Sequence, residues 1–317
     1  MDVPELPEVT ALAEALTQRA AGLEVRRIDV AAISALKTFD PPVTAAVGCV
    51  VLGFSRRGKH LVLELVDPQG EPLHVVVHLS RAGWARWRDD PPATPAPLGA
   101  RGGGRGAGSA LALRIVFAAG PDGGPAGQPP GAPVAAVDLT EAGTKKRLAV
   151  HVVRDPAEVP AVARLGPDPL DDLTPELFHD ILVAAGRAQI KGVLRDQSRI
   201  AGIGNAYSDE ILHGARLSPF APAGTQSPEV ESRLFQALRD TLGHAVTAAR
   251  APVVVVIIGT SNRTAVARSR LSSDWMPLRT GVLMINTNSW FLIMSIALGL
   301  PSLIALHRWA LILCWLR

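Results

Sequence analysis

Apolar residues recur three and four positions apart at Val9, Leu12, Leu16 and Ala20, which predicts an amphipathic helix over residues 9–22. Pro7, just ahead of them, suits a helix start because its missing N–H has no helical partner to lose. The period then shortens to two. Apolar runs at 25–30, 50–54, 61–65, 73–79, 111–117, 134–139 and 148–153 read as β-strands. Two stretches crowded with Pro and Gly, 89–109 and 118–133, separate them as loops. Many short strands with such punctuation predict a sandwich or barrel rather than alternating βαβ units.

After Leu165-Gly166-Pro167-Asp168-Pro169-Leu170 the helical period returns, at 174–185, 190–196, 207–215 and 228–249. Leu234, Leu238, Leu242 and Val246 line one face of the last. The predicted class is therefore α+β. A β-sandwich domain with a leading helix occupies 1–160, a helical domain 161–250, and a tail of uncertain structure 251–317.

Charge does not mark the chain as a nucleic-acid binder. The formal total is +3, but residues 251–317 hold six Arg and one acid, Asp274, a net of +5. The preceding 250 residues, with 26 bases and 28 acids, carry −2. Any phosphate-binding surface there must be a local patch. Two cysteines, Cys49 and Cys314, are too few for a disulfide framework or a four-thiolate zinc site. A reducing, cytoplasmic setting is expected, since the start lacks a basic and then apolar leader. The tail differs in character: residues 282–306 carry no charge, a length that could span a bilayer, although Asn286, Asn288 and Pro301 argue against that.

Three constellations carry chemistry. Pro4-Glu5-Leu6-Pro7-Glu8-Val9 sets two carboxylates on a φ-restricted segment, read either as a helix cap or as acids presented for proton transfer. Arg56-Arg57-Gly58-Lys59-His60 lies between two strands, either an exposed basic turn or a phosphate grip. In Ile200-Ala201-Gly202-Ile203-Gly204-Asn205-Ala206-Tyr207, two glycines permit a tight turn into a helix. Its free N–H groups and the Asn205 amide predict an anion site, with Lys191, Arg195 and Arg199 just upstream. No strand precedes this turn and Tyr207 replaces a third glycine, so a dinucleotide-binding loop is excluded. His74 and His78 share a strand face but lack the further ligands a metal needs.

These motifs, in this order, resemble the formamidopyrimidine-DNA glycosylase and endonuclease VIII family over roughly residues 4–250. Pro4–Val9 is similar to its amino-terminal signature, residues 57–61 to its lysine-bearing strand loop, and 165–170 with 196–210 to its helix–two-turn–helix region. The resemblance implies a base-excision-repair glycosylase that forms a Schiff base through an amino-terminal proline and then cleaves the strand by β- and δ-elimination. It implies Pro4 as nucleophile, Glu5 as the acid handling protons at the sugar, Glu8 in support, and Lys59 beside the lesion. It also implies Arg57, Arg81, Lys191, Gly204 and Asn205 on the DNA. The partner would be damaged duplex DNA, met by a monomer near the nucleoid, with the target nucleotide flipped out.

The sequence departs from that pattern at three places. Pro4 is preceded by Met1-Asp2-Val3, and an amide nitrogen has no lone pair to give, so initiation at Val3 followed by trimming is expected. The family's four-cysteine zinc finger is missing, and no cofactor is expected. A reading-frame change near Arg250 accounts for the altered tail better than a membrane segment does. Finally, Arg81 stands where the family commonly places a void-filling methionine, and Thr144-Lys145-Lys146-Arg147 lacks the usual Phe-bearing insertion. The alternative function is a catalytically impaired protein that binds damaged or abasic DNA.

Overall fold

The computed structural model describes residues 4–100, 110–120, 131–142 and 145–250, together with the backbone of three short tail strands. Residues 1–250 form one compact unit and 251–317 a second.

Helix α1 (Leu6–Ala20) opens the first unit, with Pro7 in its first turn and Glu5 as N-cap. Eight antiparallel strands follow: β1 (Glu24–Val30), β2 (Val50–Arg57), β3 (His60–Val66), β4 (Pro72–His78), β5 (Gly83–Arg88), β6 (Ala110–Ala118), β7 (Pro133–Glu141) and β8 (Ala149–Val153). Their order is β5-β7-β6-β1-β2-β3-β4-β8, and the β1–β2 seam holds only a short register around Glu24 and Val50. The sheet therefore divides into two four-stranded halves. Leu61, Leu63 and Leu65 of one half share a core with Leu113, Ile115 and Phe117 of the other, and Val9, Ala13 and Leu16 of α1 join them. This is the expected sandwich with its leading helix.

β5 lies where sequence reasoning saw no strand. Its inward residues are only Ala85, buried in the core, and Trp87, stacked on Phe117 at 5.8 Å. An edge strand with two inward positions leaves no apolar run to detect. β6 and β7 are buried on both faces, so they lack the alternation of a half-exposed strand. On their outer face Arg114 is buried and donates to both oxygens of Asp138 at 2.5 and 2.9 Å.

A one-turn helix α2 (Pro160–Ala163) leads into α3 (Pro175–Ala185), α4 (Ile190–Arg195), α5 (Asn205–Gly214) and α6 (Pro228–Arg250). They enclose a second core of Phe178, Leu182, Ile190, Leu194, Ile211, Leu234, Leu238 and Leu242. Helices α1 and α5 begin at Leu6 and Asn205, three and two residues before the periodicity indicates.

In the tail, β9 (Val255–Thr260) pairs with β10 (Arg263–Arg268) and β11 (Met284–Asn286). Apart from β11, the uncharged stretch 282–306 lies outside the described residues. Among those described, no helix is long and apolar enough to cross a membrane.

Candidate active site

The site is assembled where α1 meets the turn before α5. Glu5 is 3% exposed, and its carboxylate accepts the N–H of Gly204 at 2.5 Å and of Ala206 at 3.0 Å. The anion site expected at this helix entrance thus exists, but its anion is the protein's own Glu5. That corrects the expectation that Gly204 offers its N–H to DNA. Both glycines of the turn are dictated by closeness to α1. A Cβ on Gly204 would coincide with the Glu5 carboxylate, and Gly202, at φ +85°, would place one 2.7 Å from Leu6. The Leu6 N–H donates to the Gly202 carbonyl at 3.1 Å. Gln197 ties the turn from within, accepting from the Gly202 N–H at 3.0 Å and donating to the Ile203 carbonyl at 2.7 Å.

Glu8 has two partners. One oxygen accepts the Glu5 N–H at 3.1 Å and the other the Tyr207 hydroxyl at 2.7 Å. The helix-cap and site readings of this segment therefore hold together: Glu8 closes the first turn of α1 and fastens it to α5. Pro4, preceding Glu5, is buried.

The hairpin between β2 and β3 supplies Lys59. Gly58 sits at φ +55°, where an added Cβ would meet Leu165 at 3.1 Å and Ala201 at 3.7 Å. Burial lowers the Lys59 ammonium pKa; the neighbouring charge of Glu5 opposes this, and Arg195 adds to it. Lys59 thus belongs electrostatically to the Glu5 site. Arg57 is exposed beside it.

Arg56 proves to be structural rather than a free cation. It donates to Asp168 at 2.6 Å, to the Thr10 hydroxyl at 2.8 Å and to the Gly58 carbonyl at 3.3 Å. One guanidinium therefore joins α1, the hairpin and the segment leading to the helices. Sequence reasoning grouped it with Arg57 because nothing local marks its distant partner.

The remaining candidates stand apart. Lys191 of α4 is paired with Asp209 of α5 at 2.6 Å. Asn205, the first residue of α5, is exposed, and its carbonyl accepts from Ser208 at 2.9 Å. Arg81 is exposed on the β4–β5 connection, where Ser80 adopts φ +59°. His74 Nδ1 donates to the Arg154 carbonyl at 2.9 Å, and His78 packs on His60 with ring centroids 4.9 Å apart. The thiols do not fit a four-cysteine zinc site. Cys49 is buried in the sandwich core and Cys314 lies outside the described residues. Among the described residues no group of three or more His, Cys, Asp or Glu could hold a metal ion.

Two family models match, the formamidopyrimidine-DNA glycosylase N-terminal domain over residues 3–103 and the formamidopyrimidine-DNA glycosylase H2TH domain over 165–254. The formamidopyrimidine-DNA glycosylase of Moorella thermoacetica is 31% identical over 244 residues, covering 76% of this chain and 77% of that protein. That of Symbiobacterium thermophilum is 32% identical over 250 residues, covering 77% and 70%. The crystal structure of the MutM (Fpg) protein from Thermus thermophilus superposes with a TM-score of 0.57 at 28% identity, covering 78% of this chain and 77% of that one. Lactococcus lactis Fpg in complex with abasic-site DNA shares the fold at 24% identity, with a TM-score of 0.58 over 77% and 79% of the two chains.

Proposed function

The chain belongs to the formamidopyrimidine-DNA glycosylase family, and from that premise we propose that it excises damaged bases from duplex DNA and cleaves the strand at the abasic site left behind. The observation that carries this reading is the buried Glu5 carboxylate held by Gly204 and Ala206, which fixes the segment beginning at Pro4 against the turn of the helical half. Relatives matching about three quarters of the chain carry the glycosylase name, and the L. lactis protein of this fold is found on abasic-site DNA.

The chemistry needs an unprotonated amine at Pro4. A free α-amino group titrates near 8, against about 10.4 for a lysine, so much more of it is reactive at neutral pH. With Pro4 as the first residue, its lone pair attacks the sugar's anomeric carbon and the bond to the base breaks, the base leaving with that electron pair and a proton. Loss of the amine proton and protonation of the ring oxygen open the sugar and give an iminium ion. Glu5, adjoining Pro4, would manage those protons. Removal of the neighbouring carbon-bound proton then expels the 3′ phosphate, and a second elimination expels the 5′ phosphate. Lys59 and Arg57 would hold phosphates near the lesion, with Arg81, Lys191 and Asn205 further along the duplex. Lys191 would have to leave Asp209 to do so.

Borohydride trapping on a duplex with one abasic site tests this, using chains that begin at Met1 and at Pro4. Covalent adduct from the Pro4 chain alone, abolished in Pro4→Gly acetylated at its amine, is the expected result. Retardation of the duplex by both chains with no adduct from either would leave a DNA-binding protein without lyase chemistry.

A further inference from the structure

The cations singled out in the sequence are held in three different ways. Arg56 meets Asp168 at 2.6 Å with both side chains mostly buried, so that pair belongs to the fold. Arg199 lies 3.4 Å from Asp196, three residues before it, a loose contact within one turn of chain. Lys191 differs from both. Its ammonium meets Asp209 at 2.6 Å, joining α4 to α5, and the two side chains are 22% and 53% exposed. A close pair that stands so open to water is weak, and a competing anion can part it.

Asp209 sits where such competition would occur. It follows Asn205 by four residues in α5, so the two share a helix face, and both are exposed. Asn205 directly follows the turn whose Gly204 N–H, like that of Ala206, is taken up by Glu5. With those donors committed, gripping a phosphate at this entrance falls to side chains, and the Lys191 ammonium is already held by a carboxylate. Glu210, the next residue, is exposed too. Charge alone therefore does not single out Asp209; its position against Lys191 does.

Resting on the glycosylase reading above, we propose that Asp209 is an autoinhibitory latch, an internal stand-in for phosphate that occupies Lys191 until DNA displaces it. Binding then trades one anion for another at Lys191. The phosphate sheds a condensed counter-ion, but the freed Asp209 carboxylate gathers a cation from solution, so the exchange adds nothing to the salt dependence of binding. The freed carboxylate also stays near the phosphates and repels them. The latch lowers affinity for every duplex alike, so contacts made only at a lesion decide what stays bound.

The test is equilibrium binding of the full chain to a duplex carrying one abasic site, across a salt series. Asp209→Asn keeps the shape of the side chain and removes its charge. It raises affinity about fivefold at low salt and steepens the dependence of log affinity on log salt by about one. Glu210→Gln removes the same charge one residue on, and raises affinity less than about twofold with the slope unchanged. In a Lys191→Met chain, Asp209→Asn no longer alters the slope. Unchanged or weaker binding in Asp209→Asn overturns the latch. An equal rise in Glu210→Gln, or a slope change that survives without Lys191, overturns it too, because the effect is then one of net charge. Failure of both the wild-type and Asp209→Asn chains to bind the duplex counts against the glycosylase reading itself, and the latch falls with it.

Discussion

His60 shows how a single buried residue fixes the geometry around Lys59. Its Nδ1 lies 3.2 Å from the Arg57 carbonyl, closing the turn that presents the lysine, and its ring packs on His78. Burial, then the neighbouring charge of His78, press its pKa down from an ordinary 6.5 to about 4. Burial lowers the pKa values of His78 and His151 as well, with the charge of Lys59 adding to the first and that of Lys37 to the second. The unfolded chain therefore binds more protons than the folded one between pH 6.5 and about 4, so stability falls as pH drops through that window. His60 alone accounts for about 2 kcal/mol lost by pH 5. Urea unfolding at pH 8 and pH 5 checks this: His60→Gln should lose about that much less than the wild type on acidification, and an equal loss would mean the ring is not buried neutral. Residue identity at this scale was only partly legible. Glu5 and Lys59 announce themselves as charges beside prolines and glycines, but the Tyr207 hydroxyl on Glu8 spans most of the chain and no local pattern reveals it.

At the scale of elements, the site depends on three segments being held in one relation: the start of α1, the β2–β3 hairpin and the run into the helices. Arg56 contacts all three, with its side chain 9% exposed and that of Asp168 15%. Losing either partner leaves a mostly buried charge without its counter-ion, which costs more than the pair itself contributes. Arg56→Met is expected to destabilise by about 2 kcal/mol, and Arg56→Met with Asp168→Leu by clearly less than the sum of the single changes. A double-mutant cycle in urea measures this, and additive losses would show that the two side chains act independently. The elements themselves were legible wherever one apolar face repeats, as along Leu234, Leu238, Leu242 and Val246 of α6. They were not legible in β5, whose Trp-Ala-Arg-Trp-Arg sequence sends only two residues inward.

For the whole molecule, the α+β class followed from the change of period near residue 165, and the two hydrophobic clusters bear it out. Their joining into one unit did not follow, because it rests on backbone contacts such as Leu6 to Gly202 and on α1 packing along α6. That packing also marks where the first unit closes. Arg250, the last residue of α6, donates to Glu14 of α1 at 2.7 Å, and Val246 one turn earlier is buried. The tail strands β9 to β11 hydrogen-bond among themselves in a separate sheet. A chain ended after residue 254, where the H2TH match also ends, should therefore keep the first unit's core and both ends of its site. Its unfolding free energy in urea is expected to stay within about 0.5 kcal/mol of that transition in the full chain, the range of changes that touch no core. Its retardation of an abasic duplex should likewise survive. Loss of binding with unchanged unfolding would place a DNA contact in residues 255–317, and loss of both would make the tail part of the fold.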